Sequence, residues 1–148
     1  AGLGVASAYA ERELLAAVRA ARSGADVVVV AVHWGVEGSR CPGPEEVRLA
    51  GALVGAGASV VLGSHPHVLQ PVVAGGGSLV AYSLGNFVFH RREGPQGDSA
   101  VLEVRFLGAG IVGHEVLPHV LDRGPPQPAG PEAGARVAAA VSPAACGP

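Results

Sequence analysis

Apolar residues recur along this chain at two periods, and the switches between them predict its elements. Over residues 8–22, Leu14, Leu15, Val18 and Ala21 fall at helical spacing, Arg22 sits in the last turn and Gly24 supplies a stop, so an amphipathic helix is expected. Asp26 then opens an uninterrupted apolar, β-branched run over 27–32, the pattern of a central strand buried on both faces, with His33 at its carboxyl end. After a Gly/Pro loop, Pro44 suits the first position of a helix. Glu45 and Glu46 suit the positive end of its dipole, and Val47, Ala50, Leu53 and Val54 form an apolar stripe leading to Gly57. Residues 59–62 predict a short strand. The ladder is expected to stop in segment 63–67, because Pro66 has no N–H to donate.

The second half reads differently. Segments 68–73, 79–84, 100–107 and 111–117 are strand-like, separated by glycine-rich turns at 75–77 and 108–110. Two helix–strand units therefore feed a strand-rich half, an α/β pattern. From Asp122 onward Pro, Gly and Ala dominate, with a weak helical stretch over 132–141, and a poorly ordered tail is expected there.

Composition narrows the classes. Of 148 residues, 49% are hydrophobic and 15% charged, with mean hydropathy +0.38, which excludes a chain too polar to offset ordering entropy. All ten basic residues are Arg, a codon-usage signature without functional content. The net charge of −2 with no basic block argues against nucleic acid, whose backbone needs a clustered cationic face. The run 27–32 is far short of a bilayer span, and no basic segment leads a signal-type apolar stretch. Cys41 and Cys146 stand in a loop and in the tail, too far apart for a metal knuckle, and are expected to stay unbridged. The chain begins with Ala, which suggests a piece of something longer.

The residues able to do chemistry follow the strands. His33 ends the first, while His65 and His67 share one Pro-restrained turn after the second. Loops at the carboxyl ends of strands in α/β sheets converge, so the three imidazoles are expected to be neighbours. Imidazole is the commonest neutral metal ligand, and an H-x-H turn can aim two rings at one ion or at an adjacent pair. The residues alone equally allow a hydrogen-bonded His33 beside Trp34 and two ordinary turn histidines. Glu37 reads either as a carboxylate holding a ligand imidazole or as a solvated charge. Asn86, in the turn Ser83-Leu84-Gly85-Asn86-Phe87, either bonds its own backbone or faces the site. No serine elbow, phosphate loop or dinucleotide fingerprint competes.

Taken together, His33-Trp34-Gly35-x-Glu37, Gly63-x-His65-Pro66-His67-Val68-Leu69-Gln70 and Tyr82-Ser83-Leu84-Gly85-Asn86-Phe87-Val88-Phe89 resemble the bacterial CapA-type capsule-synthesis family, associated with poly-γ-glutamate. The resemblance spans residues 1–123, leaving 124–148 as a Pro/Gly/Ala-rich tail. It implies a calcineurin-like metallophosphoesterase relationship: a two-sheet sandwich flanked by helices, here partial and without its first strands. It also implies that His33, His65 and His67 are metal ligands, with Glu37 and Asn86 supporting them or facing substrate.

The superfamily's other ligands, an early Asp-x-His, a following Asp and an Asn-His pair, have no counterpart here. An incomplete site for one Mn²⁺ or Zn²⁺ is therefore expected, completed by an N-terminal half. The resemblance implies a metal-dependent hydrolase of phosphoester-like or amide-like bonds, or else a non-enzymatic binder of an anionic polymer during its assembly or export. It also suggests the cell envelope as the place of action. Gly38, Glu46, Ser59, Ser64 and His90 depart from the usual family residues, and of these Ser64 lies closest to the ligands.

Overall fold

The computed structural model describes residues 6–90, 94–121 and 125–147. Helix α1 (Glu11–Arg22) opens the described chain, with Glu11 and Glu13 in its first turn and Arg19 and Arg22 in its last, each sign at the favourable end of the dipole. Strand β1 (Val29–His33) follows, then α2 (Pro44–Gly55) and β2 (Val60–Ser64). Pro44 begins α2 as expected, and the Glu46 carboxylate accepts the Gly43 N–H at 2.5 Å, satisfying a donor at the helix start.

Strands β3 (Val72–Gly75) and β4 (Ser78–Ala81) form a hairpin whose turn residues, Gly76 and Gly77, both have positive φ. These strands make one sheet in the order β1-β2-β4-β3, parallel except for the antiparallel β3–β4 pair. A second, antiparallel sheet holds β5 (Asp98–Leu107), β6 (Gly110–Val120) and the short β7 (Gln127–Pro128). Helix α3 (Pro131–Val141) and a 3-10 turn, Pro143–Cys146, close the described chain.

Alternation along β2 divides the core. Val61 points with Val32, Val80 and Tyr82 toward α1 and α2, where Val18, Leu49 and Leu53 pack. Val60 points the other way with Leu79 and Ala81, meeting Ala100 of β5 and Val137 and Val141 of α3. The result is a partial two-sheet α/β sandwich, with three α-helices among the described residues, the fold class expected.

Three expectations are corrected. β1 is an edge strand rather than a central one: among the described residues it pairs with β2 alone, and Val29, Ala31 and His33 are exposed while Val32 is buried. The second layer packs on β2, β3 and β4 and does not reach across β1. Within the tail, residues 131–146 are ordered around α3, because Val137, fully buried, and Val141 complete the second core. Cys41 and Cys146 are bridged, their Cα atoms 5.6 Å apart across 105 residues of sequence, because α3 carries the chain end back to the loop after β1.

β2 also runs two residues further than its apolar run, through Gly63 and Ser64. Gly63 is required there, since a Cβ would lie 2.0 Å from the Tyr82 carbonyl and 2.2 Å from the Trp34 indole nitrogen.

Candidate functional site

The parallel register of β1 and β2 pairs His33 with Ser64, so both strands end at the same level and their loops leave side by side. Backbone bonds then lock the two loops together. Trp34 N–H donates to Ser64 O at 3.0 Å, and Gly38 N–H to Pro66 O at 2.7 Å. The Gln70 amide donates to Ser39 O at 2.9 Å. Trp34, buried and stacked on Tyr82, donates its indole N–H to the Tyr82 carbonyl at 3.0 Å. This anchor fixes where the chain leaves β1, and with it His33.

The expected three histidines are brought together. Ring centroids of His33 and His65 lie 4.6 Å apart, and those of His65 and His67 5.9 Å apart. His65 and His67 both have positive φ, 108° and 59°, and among the described residues they are the non-glycine residues that do. L side chains disfavour this region, and such strain concentrates where geometry serves function. Pro66, fully buried between them, over-determines the turn.

Hydrogen bonds orient two of the rings. His67 Nδ1 lies 2.7 Å from Asn86 Oδ1, while the Asn86 amide nitrogen donates to the carbonyls of Gln96 (3.1 Å) and His67 (3.4 Å). Both of those partners are acceptors only, so the amide cannot be reversed, and Oδ1 must accept the proton of His67 Nδ1. In the neutral ring the lone pair is then on Nε2. Asn86 is buried and its own carbonyl accepts the Ser99 hydroxyl, so the clamp is held from behind. At His33, Nδ1 lies 3.3 Å from Ser64 Oγ, whose hydroxyl donates to Val32 O. His33 Nδ1 is then the donor and its Nε2 is open as well.

Asn86 thus faces the site rather than only its own turn, and Glu37 lies exposed on the loop after β1. The sequence did not single out Phe89. It stacks on His67 at 4.7 Å and meets His90 at 4.4 Å, extending the three imidazoles into a row of five rings. The alternating aromatics of Phe87-Val88-Phe89 were the available signal. Among the described residues no group of three or more His, Cys, Asp or Glu side chains is arranged to hold a metal ion. The donor chemistry nonetheless fits such an ion: three imidazoles, two of them with Nδ1 engaged and no partner at Nε2 among the described residues, as ligand histidines are normally held. The fit is that of contributors to a donor set.

Comparison with known proteins adds three findings. Residues 3–91 match the family described as Bacterial capsule synthesis protein PGA_cap. The chain is 39% identical over 108 residues to the PGA biosynthesis protein CapA of Bacillus subtilis (strain 168), covering 73% of this chain and 28% of that protein. It is also 39% identical over 107 residues to the capsule biosynthesis protein CapA of Bacillus anthracis, covering 72% and 26%. The chain therefore spans about a quarter of the length of these curated relatives.

Proposed function

Because this chain belongs to the bacterial capsule synthesis protein family PGA_cap, we propose that it serves capsule or poly-γ-glutamate biosynthesis by supplying one wall of a divalent-metal site. His33, His65 and His67 are its ligands, for Mn²⁺ or Zn²⁺. One observation carries the reading: three imidazoles from two strand ends converge on a strained turn, and a buried Asn86 fixes the tautomer of His67.

A bound divalent ion would polarise an ester or amide bond and make bound water nucleophilic near neutral pH. This chain's residues do the holding. Asn86 holds His67 through Nδ1 and leaves Nε2 for an ion, Ser64 does the same more weakly for His33, and Phe89 packs against the His67 ring. The remaining donors, carboxylates above all, would come from the rest of a longer protein.

A second reading has the same site bind an anionic polymer without cleaving it, and the exposure of His33 on an open edge favours it, since a long chain could pass across. The bridged cysteines support placement in an oxidising compartment such as the cell envelope, because disulfides persist there and are reduced in the cytosol. Among the described residues no helix is long and apolar enough to cross a membrane.

Paramagnetic Mn²⁺, titrated into ¹⁵N-labelled protein, tests the site. Imidazole resonances of His33, His65 and His67 are expected to broaden first, ahead of His114 on β6. Uniform broadening, or none, would refute the metal reading. Turnover of poly-γ-glutamate by a longer version, lost in His67→Ala, would decide for hydrolysis over binding.

A further inference from the structure

A cavity of about 830 Å³ lies between α3, the ends of the second sheet and the segment that follows the histidine turn. No described histidine lines it. Val68, Leu69, Val120, Leu121 and Ala140 form an apolar floor, and Arg40, Arg136 and Asp98 supply the charge. Its size falls in the range of small-molecule sites, roughly 300–1,000 Å³, which are mainly apolar with a few placed polar groups.

The charges are not equivalent. Arg136 is committed: its guanidinium donates to both oxygens of Asp98, at 2.9 and 3.3 Å, so that pair is neutral. Arg40 has no carboxylate partner among the described residues. These three groups leave one net positive charge beside an apolar floor. The rim is also built covalently. Arg40 adjoins Cys41, Ala145 adjoins Cys146, and the disulfide between those cysteines joins the two lining segments. Both cysteines of the chain are thus spent closing this wall.

We propose that the cavity is a second ligand site, separate from the histidines, for an organic acid with one anionic group and an apolar body. The anion meets the Arg40 guanidinium, and the body lies on Val68, Leu69, Leu121 and Ala140. The proposal does not depend on the metal reading.

The test uses the oxidised 148-residue chain and two probes of one shape, 4-phenylbutyrate and 4-phenylbutan-1-ol, followed by amide shifts in ¹H–¹⁵N spectra. Saturable shifts are expected at Val68, Leu69, Leu121 and Ala140, with the acid binding at least fivefold more tightly than the alcohol. Arg40→Gln, an exposed change, should erase that preference and leave the alcohol unaffected. Ala140→Phe should block both probes. If that variant does not fold, its spectrum will show it, and Arg40→Gln still decides. Reduction of the disulfide should weaken both probes together. Equal affinity for acid and alcohol, a preference that survives Arg40→Gln, or shifts centred on the histidines would overturn the proposal.

Discussion

At the scale of single residues, Asn86 joins two functions. It donates to the loop carbonyls of His67 and Gln96, and it decides which nitrogen of His67 is open. Removing it should weaken metal affinity and, because the buried amide also donates to two loop carbonyls, lower stability as well. Asn86→Ala is expected to weaken Mn²⁺ or Zn²⁺ binding by about 10–100-fold, the usual cost of losing the partner that orients a ligand histidine, as read by metal titration. His65→Ala and His67→Ala should abolish binding with the melting temperature little changed, because both side chains lie only part-buried at a turn. Unfolding of either would make the turn histidines structural. Gly63 sets the opposite kind of constraint. Gly63→Ala pushes a methyl into the Tyr82 carbonyl and Trp34 indole contact, and should cost at least the ~1–3 kcal/mol typical of overpacking. Loss of the native Trp34 fluorescence on urea titration would measure it.

Among elements, α3 forms where a weak helical stretch over 132–141 was expected, but it is docked on the core rather than part of a poorly ordered tail. Its Ala-rich stretch favours helix apart from Gly134, and docking adds what propensity cannot: Val137 is fully buried, Arg136 pairs with Asp98 of β5, and the disulfide anchors the turn after it. A cross-link over so long a loop acts mainly by restricting the unfolded chain. Cys41→Ser with Cys146→Ser should cost about 2–4 kcal/mol, seen as a lower urea midpoint that reductant no longer shifts. An unchanged midpoint would mean that α3 docks without the staple. The first core has a simpler hinge: Leu53→Ala, at a fully buried position between α2 and the sheet, should cost ~2–5 kcal/mol by transfer and cavity terms together.

For the whole molecule, the consequence of the fold is an open flank. β1 offers an unpaired edge among the described residues, and Val29, 53% exposed, shares its outer face with Ala31 and His33. An apolar free edge templates association, so the chain is expected to elute at a size that grows with concentration. A sharply monomeric, cooperatively melting protein would contradict this. The histidines sit on that same flank, so whatever covers β1 also approaches the proposed ligand histidines. The chain by itself is expected not to hydrolyse p-nitrophenyl phosphate, its bis ester or poly-γ-glutamate with Mn²⁺ or Zn²⁺ supplied. It should hold at most one ion weakly. Metal-dependent turnover lost in His33→Ala, or two tightly held ions after dialysis, would show that these residues suffice.

Much of this was legible from local pattern. The stripe of α1, the Pro44 start of α2, the β-branched runs of β1 and β2 and the glycine turns all express preferences carried by neighbouring residues, and neighbours are what a linear pattern records. The convergence of His33, His65 and His67 was legible too, because parallel strands joined by a helix bring their carboxyl ends together. Other features arise from residues far apart in sequence, whose meeting depends on docking rather than propensity. Whether β1 is central or edge depends on what lies beside it, and the order of α3 on a core half supplied by β5 and the first sheet. The pairing of Cys41 with Cys146 and the cavity they rim depend on α3 bringing the chain end back to the first loop. The Asn86 clamp on His67 needed both the turn and the strand end in place, and only tertiary packing put them within 2.7 Å.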